Sequence, residues 1–218
     1  MKLTVHTFTT IDGVMQSPAT PDEDTSGGFD RGGWLSPHVD DVMGEIVEGW
    51  FGRAEAVLLG RHTYQDMHDY WSRVEDPGTH TWRVLNTGPK YVVSTTLTDA
   101  AADWTDTTVL RGDPVEAVRA LKARDGGELQ VHGSWRLVQT LHEAGLVDEY
   151  RLLVFPTSVG GNAKRLFPDG SVPVGFAVSD VRVTGTGAVA MTLVPGDFRQ
   201  AGVDVVDGAD TVVDLQPA

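Results

Sequence analysis

No cysteine occurs among the 218 residues, so disulfides, thiol nucleophiles and cysteine-ligated metals are excluded. The zinc deaminase signature, which needs a Pro-Cys-x-x-Cys pair, goes with them. Basic residues are also scarce: 17 Lys and Arg stand against 31 Asp and Glu, a formal charge of −14. Phosphate backbones are held by basic surface, so this balance argues against nucleic acid as a partner. It also gives weight to any arginine beside a glycine turn. No apolar run approaches a membrane span, and Met1-Lys2-Leu3 leads into a strand-like segment instead of a signal peptide. A soluble cytoplasmic chain is the expectation. The seven histidines show no i, i+4 or carboxylate-cluster spacing suited to a metal, and none is expected.

What is present suffices for one large domain, since 40% of the residues are apolar. Leu3 to Thr9 reads as a strand ending in Thr10-Ile11-Asp12-Gly13. Gln16 to Gly33 is rich in Pro, Gly and Asp with no apolar period, so it is a long loop, either a lid or a disordered insert. Its position after Asp12-Gly13 favours the lid. Ser36 as N-cap and Pro37 in the first turn open a helix over 37–51, with Val39, Val42, Met43, Ile46, Val47, Trp50 and Phe51 at helical spacing. Ala56 to Leu59 is a buried strand that stops at Gly60-Arg61-His62-Thr63-Tyr64, where a short helix begins. Pro77 to Gly88 reads as loop, Lys90 to Ser94 and Thr108 to Leu110 as strands, and Pro114 to Ala123 as a helix.

The stretch from Glu128 to Phe167 holds a strand around Leu129 and Val131, a Gly133-Ser134 corner, a helix with Leu137, Val138 and Leu141 inward, and a strand from Tyr150 to Phe155. A hairpin follows, Ala177 to Thr184 and Ala188 to Val194, joined through Gly185-Thr186-Gly187. Strands alternating with helices and closed by a hairpin give an α/β domain over 1–196, its sheet mostly parallel with an antiparallel C-terminal end. From Gln200 to Ala218 there is no Lys or Arg, while Asp204, Asp207, Asp210 and Asp214 alternate with small apolar runs. Residues 197–218 are therefore a disordered acidic tail or an arm that packs on a partner subunit.

Two strand ends that turn into helices at glycine, Gly60 and Gly133, can expose backbone N–H groups to one diphosphate. Arg61 and Arg136 then add charge-assisted bonds. Each arginine alone reads equally as a solvated helix-start residue; the two corners together favour an anion site. The spacing is not the G-x-G-x-x-G fingerprint. For proton transfer, Asp40 shares a line with Met43 and Val47 at the edge of the apolar stripe, whereas Asp41 shares its face with Glu45 and Glu48. Asp40 is the better-placed carboxylate, or else a first-turn Asp that stabilises the helix dipole. Asp12 is the second candidate, or else part of a turn-forming Asp-Gly. His132 reads as a packed core histidine, and Lys90 and Arg111 as surface residues at strand boundaries. Trp50, Phe51, Trp71, Phe155 and Phe167 could line an aromatic pocket, although aromatics so placed are usually core.

Gly60-Arg61-His62-Thr63-Tyr64 resembles the GR-x-T-[WY] motif of dihydrofolate reductases. The other segments fall in the same order as in that family: Thr10 to Gly13, KYVVSTTL at 90–97, VHGSWRL at 131–137 and GLVDEYRLLVFPTSVGGNAKRLF at 145–167. Together, from Lys2 to Val194, they resemble the dihydrofolate-reductase-like family, and within it the branch named for the reductase domain of bifunctional riboflavin-biosynthesis enzymes. The resemblance implies a three-layer α/β/α fold, NADPH as hydride donor, a homodimer, and a small planar heterocycle such as a pterin, an aminopyrimidine or an imine as substrate. It would set Arg61, His62 and Thr63 on the pyrophosphate and 2′-phosphate side, and Ser94 and Thr95 on the adenosine 2′-phosphate. Gly133 and Ser134, with Trp135 following and Arg136 nearby, would face the diphosphate and the nicotinamide ribose. Trp34 to Asp40 is similar, displaced by one residue, to the segment carrying the family's substrate-binding acid. The family's turn is usually a glycine pair, often joined by a cis bond; here it is Gly133-Ser134. The deaminase half of the bifunctional enzymes is not found, so a stand-alone member is expected and a riboflavin precursor is not assumed as substrate. The competing expectation is a non-catalytic binding protein that keeps the fold and a nucleotide.

Overall fold

Strand β1 (Lys2–Thr10) sends Leu3 and Val5 into one apolar cluster and Phe8 into another on the opposite face, so both its faces are covered. Burial on both sides is the signature of a central parallel strand. The computed structural model, which describes residues 1–214, pairs β1 in parallel with β5 (Glu128–His132) and β6 (Glu149–Phe155). Outward from β5 lie β2 (Ala54–Gly60), β3 (Lys90–Val93) and β4 (Thr107–Leu110), all parallel. On the other side β8 (Val189–Gly196) runs antiparallel to β6, and β7 (Gly175–Val183) closes the edge. The order is β4-β3-β2-β5-β1-β6-β8-β7, the mostly parallel sheet with an antiparallel end that the sequence predicts.

Helices α1 (Asp41–Phe51), α2 (Arg61–Trp71) and α3 (His80–Thr87) cover one face, burying Ile46, Trp50, Phe51, Tyr64 and Leu85 against it. Helices α4 (Pro114–Lys122) and α5 (Trp135–Glu143) cover the other with Val118, Leu121, Val138 and Leu141. Three layers result. Under α1 the sheet is not purely apolar: both terminal nitrogens of Arg151 donate to Glu128 at 2.7 Å, and Gln130 donates to the Trp50 carbonyl at 2.7 Å.

Three expectations change, and the aromatics take the core alternative. The helix expected over 37–51 breaks into a 3-10 turn at Ser36–His38 and α1 proper, because Val39 is extended and Asp40, not Ser36, is the N-cap. Residues 80–87, expected as loop, form α3: Thr79 accepts from the Trp82 amide and Thr81, Val84 and Leu85 are buried. Eight residues are too few to display a helical period. Lys90 is not at the surface but fully buried, its Nζ donating to the Gly88 carbonyl at 2.7 Å and lying 5.0 Å from the Trp104 ring. The aromatics do not form one pocket: Trp50 and Phe155 share a cluster, Phe51 and Trp71 belong to another, and Phe167 packs with Tyr150 and Phe176.

The acidic segment is not uniformly unstructured. β9 (Ala201–Val206) and β10 (Ala209–Asp214) pair as an antiparallel hairpin in a sheet of their own. No helix among the described residues is long and apolar enough to cross a membrane.

Candidate active site

Parallel α/β sheets bind ligands beyond the carboxyl ends of their strands. At that edge β2 turns into α2 at Gly60, and β5 turns into α5 through Gly133 and Ser134. The two corners are one structure. The Ser134 amide donates to Thr63 Oγ1 at 3.1 Å, the Gly60 amide donates to Ser134 Oγ at 2.9 Å, and the Ser134 hydroxyl donates back to the His132 carbonyl at 3.0 Å. Gly133 and Ser134 both take left-handed backbone, at φ of 55° and 58°. A Cβ at Gly133 would sit 3.3 Å from the Thr63 methyl, so glycine is needed there for both conformation and space. No cis bond occurs among the described residues, so the Gly133-Ser134 peptide is trans.

Capping separates these helices from the rest. Asp40 caps α1, Thr79 caps α3 and Asp113 caps α4, each side chain accepting from first-turn amides. Helices α2 and α5 have no side-chain cap. Their first-turn N–H groups and the positive ends of their dipoles lie at adjoining corners without a side-chain acceptor. Arg61 reaches only His62 and Gln65, at 3.0 and 3.2 Å, and neither Arg61 nor Arg136 forms an ion pair among the described residues. Helix starts of this kind can accept an anion.

Beside it, Ser94 follows β3, and its Oγ accepts from the Thr96 and Leu97 amides at 3.1 and 2.9 Å. Ser94 thus builds a turn and is buried, while Thr95 is exposed. Trp135 does not open into the site; its indole donates to the Arg165 carbonyl at 2.8 Å and ties the corner to the segment after β6.

Both carboxylates singled out for proton transfer are engaged. Asp12 Oδ1 accepts from the Thr10 hydroxyl at 2.5 Å, and Oδ2 accepts from the Gly160 amide at 2.8 Å. Burial raises its pKa, but these bonds outweigh that and hold it below the usual carboxylate range. Asp40 Oδ1 accepts from the Met43 amide at 2.8 Å and Oδ2 from the Thr186 amide at 2.9 Å, and the Met43 bond leads in lowering its pKa. Each is an anion at neutral pH. His132 is a packed histidine: burial pushes its pKa down to about 3, and its ring stacks on Phe51 at 4.3 Å.

The loop from Gln16 to Gly33 lies along the segment after β6. Gln16 donates to the Asp24 and Ser26 carbonyls, Lys164 pairs with Asp24 at 2.6 Å, and Arg31 donates to the Val159 carbonyl. A small cleft of about 110 Å³ remains between Gly27 to Arg31 and Gly160 to Asn162. Sequence reasoning missed the aromatic group beside Asp40, where Phe155 lies 5.7 Å from Trp34, 5.8 Å from His38 and 6.0 Å from Phe8.

Three comparisons bear on this edge. The RibD C-terminal domain family profile matches residues 1–190. An uncharacterized protein of Bacillus subtilis, YyaP, is 28% identical over 142 residues, which cover 64% of this chain and 73% of that one. Among solved structures, a putative riboflavin biosynthesis protein from a Shewanella species superposes with a TM-score of 0.67 at 20% identity, covering 90% of this chain and 99% of its own. The dihydrofolate reductase of Enterococcus faecalis, solved in complex with NADP(H) and RAB-propyl, superposes at 0.55 with 14% identity, covering 90% and 97%.

Proposed function

Since the chain belongs to the RibD C-terminal domain family, we propose that it is a cytoplasmic, homodimeric oxidoreductase that uses NADPH to reduce a C=N or carbonyl bond in a small heterocycle. The observation that carries this reading is the joined pair of uncapped helix starts, with Arg61 and Arg136 free of carboxylates. The residues fit the cofactor: the amides of 61–63 and 135–137 would hold the diphosphate, and Arg61 and Thr95 the 2′-phosphate. NADPH, when bound, supplies the hydride.

Asp40 positions the other reactant. Its carboxylate accepts from the Met43 and Thr186 amides, and the Thr186 and Thr184 hydroxyls also stabilise its charge, so a heterocycle N–H would share the remaining acceptor capacity with them. Of the neighbouring rings, Phe155 and Trp34 are buried, so only the half-buried His38 can meet that heterocycle. Asp40 and Asp12, both held as anions, do not donate the proton; water admitted at the mouth supplies it. Asp12 instead fixes the Gly160 segment against β1. Residues 1–196 form the reductase domain, and 197–218 lie outside it.

Titrating NADPH against tryptophan fluorescence tests the reading, followed by turnover with dihydrofolate, pterins, an aminopyrimidine and simple imines. Absence of NADPH binding removes it, and binding without turnover of any substrate leaves a nucleotide-binding protein instead. Arg61→Ala should lose more affinity for NADPH than for NADH; equal losses contradict the 2′-phosphate assignment.

A further inference from the structure

The hairpin β9–β10 buries almost nothing in its own chain. Val203 faces Val212 across the ladder, and Val205 follows Val203 on the same side. These three valines are 70%, 72% and 69% exposed, respectively. No side-chain hydrogen bond or ion pair joins 201–213 to the rest of the chain among the described residues. A lone two-stranded hairpin is marginal in water, so an apolar face of this kind needs a surface to lie on.

The same chain carries such a surface. On the α5 side of the sheet, β7 and β8 align Val178 with Leu193, Val181 with Met191 and Val183 with Val189. The helices stop short of this end: Val178, Val181 and Val183 are 59%, 52% and 63% exposed, on the strand that forms the sheet's edge. The hairpin forms a sheet of its own, and the segment that leads to it starts beside β7, where the Asp197 carbonyl lies against Gly175.

Charge narrows the occupant. The arm bears Asp204, Asp207 and Asp210 and no base. Arm against arm would bring like charges together, and an anionic lipid surface or nucleic acid has the wrong sign. The β7–β8 valine face carries no such penalty. We infer that the hairpin is an exchanged arm whose Val203, Val205 and Val212 face seats on the Val178, Val181 and Val183 face of a second copy of this chain, reciprocally about a two-fold axis.

This deepens the homodimer proposed above, and the test separates the two. Because the chain has no cysteine, Val181→Cys and Val203→Cys can be placed in separate chains, refolded together and oxidised. A disulfide-linked dimer should form in the mixture and in neither variant alone. Light scattering should give twice the chain mass for the full protein and half that value for residues 1–196, with Val203→Asp in the full chain reproducing the loss. A full-length monomer overturns both the homodimer and the arm. A dimer that survives removal of 197–218 and resists Val203→Asp overturns the arm alone. Closure of a Val181→Cys, Val203→Cys double variant within one chain would mean the arm folds on its own copy, and would also overturn it.

Discussion

Replacing Thr63 by Val keeps the side chain's shape and removes the oxygen that accepts the Ser134 amide at 3.1 Å. Ser134 is 8% exposed, so its N–H finds little water once released. A buried donor left unpaired costs about 1–3 kcal/mol, and at this chain length that lowers Tm by about 2–10 °C. The second readout is the cofactor. NADPH at 100 times its Kd raises stability by about 2.7 kcal/mol, and a tenfold weaker Kd at the same concentration leaves about 1.4 kcal/mol. Thr63→Val should therefore melt lower without cofactor and show about half the NADPH-induced rise, again on the linkage relation. Thr63→Ser, which keeps the hydroxyl, should recover most of both. Scanning fluorimetry with and without NADPH measures the pair. A Thr63→Val protein with unchanged Tm and an unchanged NADPH shift refutes the joined-corner argument; a lowered Tm with the full NADPH shift reduces the bond to a structural one.

Asp40→Ala should lower Tm, since it strips acceptors from the Met43 and Thr186 amides, and Asp40→Asn should lower it less. Because Asp40 works as an anion, kcat/KM should fall only as pH drops below the usual carboxylate range; a fall as pH rises toward neutrality would return it to the role of proton donor. Arg151→Met takes the buried cation from Glu128 and Glu149 and leaves them only the more exposed Arg53 at 3.7 Å and Lys2 at 2.6 Å, a loss at or below the low end of about 3–5 kcal/mol visible in urea melts, and adding Glu128→Gln should restore part of it. Burial lowers the Lys90 pKa to about 8 from 10.5. The folded state thus disfavours the charged form, so stability should rise with pH from 8 to 10.5, by about 3 kcal/mol at 1.36 kcal/mol per pK unit. Lys90→Met should abolish that rise; a wild-type stability that is flat over the interval sinks the assignment.

The layers were legible because β1, β2, β5 and β6 carry runs that bury both faces, and because Gly60 and Gly133 mark two strand ends. What pairwise spacing could not carry is contact between distant segments. Thr63 and Ser134 are 71 residues apart, and nothing in either local pattern says that one accepts from the other. Lys90 looked like a boundary lysine because Trp104 and Asn86, which enclose its end of β3, come from elsewhere in the chain. Asp40 was placed within a helix because Ser36-Pro37 is a good helix start; the extended Val39 that interrupts it follows from the tie between Thr186 and the His38 carbonyl, 148 residues distant.

The capping pattern is the strongest internal reason to regard this edge as a site. A side-chain cap contributes on the order of 1 kcal/mol, and this sequence supplies one to α1, α3 and α4 with Asp or Thr at the right position. At α2 and α5 the cap positions hold Gly60 and a left-handed Ser134 whose hydroxyl is turned away to the His132 carbonyl. A serine is the usual residue for a cap, yet here it is used to lock one corner to the other, leaving the amides of both helices open at adjoining corners. Stability alone would have closed them. An external acceptor with two linked negative groups satisfies both helix starts at once, and the nearby cations without acidic partners favour the same kind of ligand. On that ground the helix starts, more than either carboxylate, mark where the proposed cofactor would bind.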